Sequence, residues 1–236
     1  TTDEDFVGNP SDASISEAET DYLIGVVNTY FKSKVSRDDI VHSYSGVRPL
    51  LEEKNASAQE LTRDYKVELT GSKGSPVLLN IFGGKITTYR KLAEHAVDKL
   101  VTCFPRAKKA WTKEAPLPGG TFTSQPELVA KLTSEFPWLE ESLAQRYARL
   151  YGLLCYKFLK GATSLDALGK DFGASLFKAE VDYLIVHEWA MSLDDVIWRR
   201  TKHGLRLNDT QKSELKAYIE RVVYGDVINE ENRATA

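Results

Sequence analysis

The first hundred residues carry the hydrophobic patterns of both helices and strands. Ser16 and Glu19 have the spacing of a capping box, and the apolar residues that follow them recur at helical spacing. Residues 40–44 and 64–69 have the length of short strands, and the second of these alternates like a half-buried strand. Residues 77–82 form a continuous apolar run, which is typical of a strand buried on both faces. The pattern predicts a helix followed by three strands.

A change of pattern divides the chain near residue 104. Gly83 and Gly84 end the apolar run, and a second helix is predicted after them, with an inner stripe of Ala93, Ala96, Val97 and Leu100. Farther along, helical spacing predominates, with start and stop signals at Pro126, Gly152, Ser192 and Asn208. We therefore predict an α/β domain over residues 1–103, a linker over 104–125 and an all-α helical bundle over 126–236.

Composition narrows the class of protein. Of the 236 residues, 42% are hydrophobic, which is enough to bury a core. Lys and Arg number 31 against 34 Asp and Glu, so no basic excess points to nucleic acid. The longest apolar stretch is far shorter than the ~20 residues of a membrane span, and no leader pattern precedes it. The two cysteines, Cys103 and Cys155, are expected to be buried thiols, which suits a cytoplasmic protein. The chain starts with Thr, and we expect it to be part of a longer protein.

The segment from Asn80 to Arg90 carries the most chemical information. A strand runs into two glycines and a helix opens after them, so a flat or anionic ligand can approach the backbone closely. The helix start offers unpaired N–H groups and a positive dipole end, and Lys85 adds a full charge. The spacing differs from that of a phosphate-loop NTPase, because Ile86 stands where a Ser or Thr is required. The alternative is a plain strand–turn–helix corner with an exposed lysine.

Two further basic sites are candidates for anion binding. Arg48 follows a strand candidate and precedes a proline, so its guanidinium is placed to hold a phosphate or carboxylate, or it is a surface arginine. The cluster running from Trp198 to His203 is either charge paired with Asp194, Asp195 and the helix dipole, or a docking patch for an anionic partner or lipid headgroups. We predict no metal site, since His187-Glu188 lacks the second histidine of a zinc-protease motif.

Several stretches together resemble the FAD-dependent glycerol-3-phosphate dehydrogenase family. In the first hundred residues they are Thr1-Thr2-Asp3-Glu4-Asp5-Phe6, Ser45-Gly46-Val47-Arg48-Pro49-Leu50 and Phe82-Gly83-Gly84-Lys85-Ile86-Thr87-Thr88-Tyr89-Arg90. Two more lie in the C-terminal part, from Val181 to Ala190 and from Trp198 to Arg206. They occur in the family's order. The family's Gly-x-Gly-x-x-Gly turn is missing from the sequence, so the resemblance implies the C-terminal portion of such an enzyme. Its α/β part would then be an incomplete flavin and substrate domain, followed by the helical bundle.

The resemblance also implies roles for particular residues. Arg48 would bind the substrate phosphate, and Lys85 would lie beside the substrate and flavin as a substrate-binding and catalytic residue. The cofactor would be held by Gly83, Gly84, Lys85, Ile86, Thr87 and Thr88, with backbone N–H groups at the flavin edge. The parent reaction would be oxidation of sn-glycerol 3-phosphate to dihydroxyacetone phosphate, with electrons passing through FAD to a quinone. The chain alone is expected to be inactive and to retain little FAD.

Alternatives to this function stay open. A related glycerol-3-phosphate oxidase would pass electrons to oxygen, although residues 52–63 are too short for the inserted loop we associate with oxidases. Alternatively, the helical part acts mainly as a dimerisation or membrane-docking module through its basic, tryptophan-bearing end. The predicted partners are therefore glycerol 3-phosphate, a quinone in the parent, a second copy of the chain and the inner face of the cell membrane.

Overall fold

The protein forms two compact units, Thr1–Ala115 and Pro116–Ala236. The structure is a computed structural model and describes residues 2–48, 64–71, 74–104 and 106–225. These residues are mostly helical, with one two-stranded sheet among them. Within the described ranges, no helix has both the length and the apolar character needed to cross a membrane.

Helix α1 (Glu17–Tyr30) opens the first unit at the predicted position. The Ser16 hydroxyl accepts from the Glu19 N–H at 3.2 Å, and the Ser16 N–H donates to the Glu19 carboxylate at 2.9 Å. This reciprocal pair satisfies two N–H groups at the helix start and confirms the predicted capping box. No residue of α1 is buried, and Tyr30 is 81% exposed.

Two antiparallel strands form the sheet, β1 (Tyr65–Thr70) and β2 (Leu78–Gly83), which pair from Tyr65↔Gly83 to Thr70↔Leu78. The prediction that residues 77–82 form a strand buried on both faces is wrong in its burial. Leu78, Ile81 and Phe82 are all exposed, because the described sheet has only two strands to cover them. The prediction of a strand over residues 40–44 is also wrong, since this segment pairs with no strand in the described part of the chain. The predicted loop over 51–61 lies outside the described residues.

Helix α2 (Tyr89–Leu100) packs against the hairpin, where the rings of Tyr65 and His95 are 5.8 Å apart. Its inner face differs from the predicted stripe, because Ala93 and Val97 are exposed while Leu92, Ala96 and Leu100 are more covered. These three positions are spaced four residues apart, which places them on one side of the helix. Ala96, which is 9% exposed, is the only buried hydrophobic residue among those described in this unit. The described part of the first unit therefore contains almost no buried core.

The second unit is a helical bundle with a continuous core, as predicted. Its helices are α3 (Gln125–Glu135), α4 (Glu141–Tyr151), α5 (Tyr156–Leu159), α6 (Lys178–Glu188) and α7 (Asp209–Glu220), with a π-helical segment Asp195–Arg200 before α7. Asn208 and Gln211 form the predicted capping box of α7, and α4 ends at Gly152, whose φ is +53°. Helix α5 was not predicted.

A buried ion pair joins α4 to α6. Arg146 donates to both carboxylate oxygens of Glu180, at 2.6 and 2.8 Å, and to the Ser175 carbonyl at 2.8 Å. The Tyr151 hydroxyl donates to the same carboxylate at 2.6 Å, and the Glu180 side chain is completely buried. Burial lowers the pKa of Arg146, but the hydrogen bonds and charge of Glu180 outweigh it and raise that pKa above its ordinary value. The charges of Arg146 and Glu180 thus neutralise each other inside the bundle.

Candidate functional site

The turn between β2 and α2 contains the predicted cofactor-binding residues. Gly83 and Gly84 have φ of +70° and +96°, a backbone region that glycine adopts without steric cost. A Cβ on Gly84 would lie 3.3 Å from the Cβ of Tyr65, so this glycine also lets the turn pack closely against β1. Lys85 returns to an extended conformation, and Ile86–Thr88 form a 3₁₀ turn that leads into α2. The local sequence thereby brings all six residues into one turn.

The exposed side of this turn offers hydrogen-bond donors. The Thr88 N–H and hydroxyl both donate to the Lys85 carbonyl at 3.0 Å, and the Tyr89 N–H donates to the Ile86 carbonyl. The N–H groups of Ile86 and Thr87 precede these bonds, at the positive end of the helix. The side chains of Lys85, Ile86 and Thr87 are exposed. The turn therefore suits an electron-rich edge of a ligand.

Arg48 lies in an extended segment and pairs with a carboxylate near the start of the chain. Its Nη1 is 2.7 Å from Oδ2 of Asp3, and about half of the arginine side chain is exposed. One carboxylate can fix the guanidinium while its other N–H groups stay free to bind an anion. Among the described residues, no contact joins Arg48 to Lys85. The structure thus shows two separate basic positions in the same unit.

A polar cluster that the sequence analysis missed anchors α2. Arg90 lies 2.7 Å from the Glu94 carboxylate and donates to the Thr112 hydroxyl at 3.1 Å, while that hydroxyl donates to Glu94 at 2.6 Å. The hydrogen bond from Thr112, followed by the interactions with Arg90, lowers the pKa of Glu94 despite some desolvation. Because Thr112 lies 18 positions from Glu94, no local pattern could have indicated this contact.

The basic segment near Trp198 is engaged within the helical unit. Arg199 pairs with Asp195 at 2.9 Å, as one of the two interpretations predicted. Arg200 donates to the Glu188 carbonyl at 2.8 Å, and Lys202 donates to the Trp198 carbonyl. A Cβ on Gly204 would lie 2.3 Å from the Trp198 ring, so the indole packs tightly against the backbone. The charged groups of Arg199, Arg200 and Lys202 thus each have a partner inside the helical unit.

Comparison with known proteins identifies the helical unit. Residues 110–223 match the model of the C-terminal domain of alpha-glycerophosphate oxidase, a match that includes all helices from α3 to α7. This part of the chain belongs to that domain family. The resemblance inferred from the motifs is confirmed.

Longer matches extend the comparison to nearly the whole chain. The chain is 46% identical to the aerobic glycerol-3-phosphate dehydrogenase of Escherichia coli over 220 residues, 93% of this chain and 44% of that enzyme. It is 44% identical to the glycerol-3-phosphate dehydrogenase of Pseudomonas aeruginosa over 221 residues, covering 93% and 43%. It is 43% identical to the D-erythritol 1-phosphate dehydrogenase of Brucella abortus over 222 residues, again 93% and 43%. The chain thus spans less than half the length of these relatives.

Proposed function

We propose that this chain supplies the C-terminal domain and part of the flavin and substrate site of a dehydrogenase that oxidises glycerol 3-phosphate to dihydroxyacetone phosphate. The observation that carries the proposal is the open turn of residues 83–88, in a chain aligned over 93% of its length with glycerol-3-phosphate dehydrogenases. In the reaction, C2 of the substrate would give a hydride to the flavin and its hydroxyl would release a proton to solvent, which leaves the ketone.

The turn fits one edge of an FAD ring. Both glycines lack a side chain that would block close approach, and the early N–H groups of α2 lie at its positive end. When bound, FAD supplies the acceptor for the hydride. The Ile86 and Thr87 N–H groups would stabilise negative charge at the ring edge, and Lys85 would add a cation beside it. The dinucleotide turn needed for the rest of the cofactor is absent from this sequence.

Arg48 is the proposed phosphate ligand. Its guanidinium, oriented by Asp3, would grip the substrate phosphate and leave the polyol end free to reach the flavin. Lys85 would bind the substrate near the reacting carbon and act as the catalytic residue of this chain. Binding of the phosphate group by Arg48 does not by itself select between glycerol 3-phosphate and the erythritol phosphate named for the Brucella relative.

The first unit is proposed to be an incomplete flavin and substrate domain. Apolar side chains such as Tyr30, Leu78 and Phe82 are exposed there, and Ala96 is the only buried hydrophobic residue among those described in this unit. Such a surface is stabilised when further protein covers it. We therefore expect the chain alone to be inactive and to bind FAD weakly.

The electron acceptor and location belong to the same proposal. A quinone is the proposed acceptor, reached from the cytoplasmic face of the membrane by an enzyme bound peripherally, with a homodimer as its assembly. The oxidase alternative is supported by the name of the matching domain family, whereas the relatives are named as dehydrogenases. The short segment 52–63 that argued against an oxidase lies outside the described residues.

A chimaera tests the proposal. The part of the E. coli relative that this chain does not match is joined to this chain, and bound FAD and reduction of a dye acceptor are measured with glycerol 3-phosphate and D-erythritol 1-phosphate. We expect bound flavin and glycerol 3-phosphate oxidation, with no stoichiometric peroxide release. Release of one peroxide per substrate would favour the oxidase. A chimaera that binds FAD but oxidises neither substrate would refute the proposal.

Variants of the chimaera test the individual roles. Arg48→Gln should raise KM about 10-fold or more, because a charge-assisted hydrogen bond to the phosphate is lost. Lys85→Met should lower kcat. Lys99→Gln, an exposed lysine at the far end of α2, is the matched control and should change neither. A Lys85→Met enzyme with wild-type kcat would remove Lys85 from the mechanism.

A further inference from the structure

Trp189 has an unusual conformation at the end of α6. Its φ and ψ are 54° and 37°, the left-handed region that bulky residues rarely adopt. Its side chain is also 82% exposed, although an indole gains most from burial. Two unfavourable features therefore coincide at one residue.

The backbone explains the conformation but not the side chain. The N–H groups of Trp189 and Ala190 both donate to the Leu184 carbonyl, which closes the helix in the manner of a Schellman motif. Leu184 and Ala190 are fully buried, as this motif favours. Glycine is the usual residue at the left-handed position and would form the same cap with less strain. The fold thus requires the conformation at position 189 and does not require the indole.

A cavity of about 630 Å³ lies beside this indole. Pro118, Leu154 and Met191 contribute apolar surface, and Lys157 and His187 contribute polar groups. The volume falls within the range of small-molecule sites in proteins, ~300–1,000 Å³. All of these residues belong to the helical unit.

The polar groups of the cavity are hydrogen-bond donors. Lys157 Nζ lies 3.4 Å from His187 Nδ1, and because an ammonium group only donates, Nδ1 is the acceptor and the ring proton is on Nε2. Burial, followed by the charge of Lys157, lowers the pKa of His187 and so favours the neutral ring. The carboxylate of neighbouring Glu188 is already engaged by the Tyr183 hydroxyl and lies 3.9 Å from Arg200. The cavity therefore carries the charge of Lys157 with a second N–H beside it.

We propose that this cavity binds a small amphipathic anion, with one carboxylate or phosphate on an apolar and preferably aromatic body. Lys157 and the Nε2–H of His187 would donate to the anion. The apolar body would pack on Met191 and stack against the Trp189 indole, which gives the strained and exposed side chain a function. The proposal is independent of the dehydrogenase activity, since it uses only residues of the helical unit.

Calorimetric titration of the full chain with 1-naphthoate tests the proposal. We expect saturable binding, at least about tenfold tighter than that of the uncharged analogue 1-naphthalenemethanol, because only the acid can pair with Lys157. Lys157→Gln and Trp189→Gly should each raise Kd about tenfold or more. Lys160→Gln, an exposed lysine three positions away, is the matched control and should bind as the wild type does.

The two variants separate binding from folding. Since glycine suits the left-handed cap, Trp189→Gly should unfold at the same or a higher denaturant concentration than the wild type. If that variant were less stable, Lys157→Gln would still decide the question. Absence of saturable 1-naphthoate binding, or equal binding by Lys157→Gln, overturns the proposal. Capture by phosphatidylglycerol vesicles without binding of free 1-naphthoate would assign the surface to a membrane and would also overturn it.

Discussion

Replacing Arg146 by methionine should destabilise the helical unit by an amount that depends on pH. Methionine keeps much of the apolar stem of the arginine but removes the cation that contacts both oxygens of Glu180. The Glu180 side chain is completely buried, so it has no water to replace this partner. The variant leaves the Glu180 carboxyl group buried without a cation, with the hydrogen bond from the Tyr151 hydroxyl still in place.

The loss of unfolding free energy can be worked out from the cost of keeping that carboxyl group protonated inside the folded variant. Binding a proton at pH 7 costs about 1.36 kcal/mol per pH unit above the ordinary glutamate midpoint near ~4.3, or about 3.7 kcal/mol. Loss of the hydrogen bond to the Ser175 carbonyl and of the guanidinium contact with the Tyr147 ring adds about 1 kcal/mol. We expect Arg146→Met to lower the unfolding free energy by about 3–5 kcal/mol at pH 7.

Denaturant titration followed by tryptophan fluorescence and far-UV circular dichroism measures this loss. Three of the four tryptophans, Trp138, Trp189 and Trp198, lie in the helical unit and report on it. The folded variant keeps this carboxyl group protonated, whereas the unfolded variant releases the proton above the ordinary glutamate midpoint. Raising the pH therefore lowers the unfolding free energy of the variant. The difference from wild type should therefore shrink by about 2.7 kcal/mol from pH 7 to pH 5.

The double variant Arg146→Met/Glu180→Gln is the control. It has no buried charge, and the glutamine oxygen can still accept from the Tyr151 hydroxyl. It should be more stable than Arg146→Met at pH 7 by about 2 kcal/mol and should lack the extra pH dependence. A loss below about 1 kcal/mol for Arg146→Met, or an equal loss at pH 5 and pH 7, would refute the reasoning.

Three further predictions concern stability. Burial, with the charge of Arg146, lowers the pKa of His203 to about 4, so the folded protein holds this ring neutral and should lose up to about 3 kcal/mol of stability as the pH falls from 6.5 to 4. The His203→Gln variant should lose most of this slope in titrations across that range, and an unchanged slope would contradict the assignment. Gly204→Ala should lower the unfolding free energy by about 1–3 kcal/mol, because the new Cβ would meet the Trp198 ring. Gly25→Ala, which has open space in α1, should be neutral or stabilising. Equal effects of the two substitutions in denaturant titrations would argue against this packing. In hydrogen exchange, amides of α4 and α6 should be protected far more than those of α1, and equal protection would contradict the contrast in burial.

Local signals predicted the helix ends well. The capping boxes at Ser16 and Asn208 depend on residues three positions apart, and both are present. The glycine turn was also predictable, because a continuous strand pattern, two glycines and a helix pattern are adjacent in the chain. These features need no information about distant residues.

Long-range pairing limited the rest of the prediction. The apolar run of β2 indicates a buried strand, but burial depends on which strands and helices cover it, and β1 and α2 together leave Phe82 exposed. The pairing of Arg48 with Asp3 joins residues 45 positions apart. Resemblance to a family implies that Arg48 binds a phosphate, whereas the residue pattern alone leaves two interpretations, an anion ligand or a surface arginine.

The two units differ in how their sequences relate to their stability. In the helical unit, amphipathic helices bury their apolar residues against one another, and even the charges of Arg146 and Glu180 are satisfied internally. In the first unit, the polar turn of residues 83–88 is well formed while the apolar residues around it stay exposed. If the turn binds flavin as proposed, a covering protein surface would be needed to hold it rigid, because so few of the described residues around it are buried. The geometry of the turn is therefore a local property of this sequence, whereas the proposed flavin contact would also require a surface that covers the exposed apolar residues.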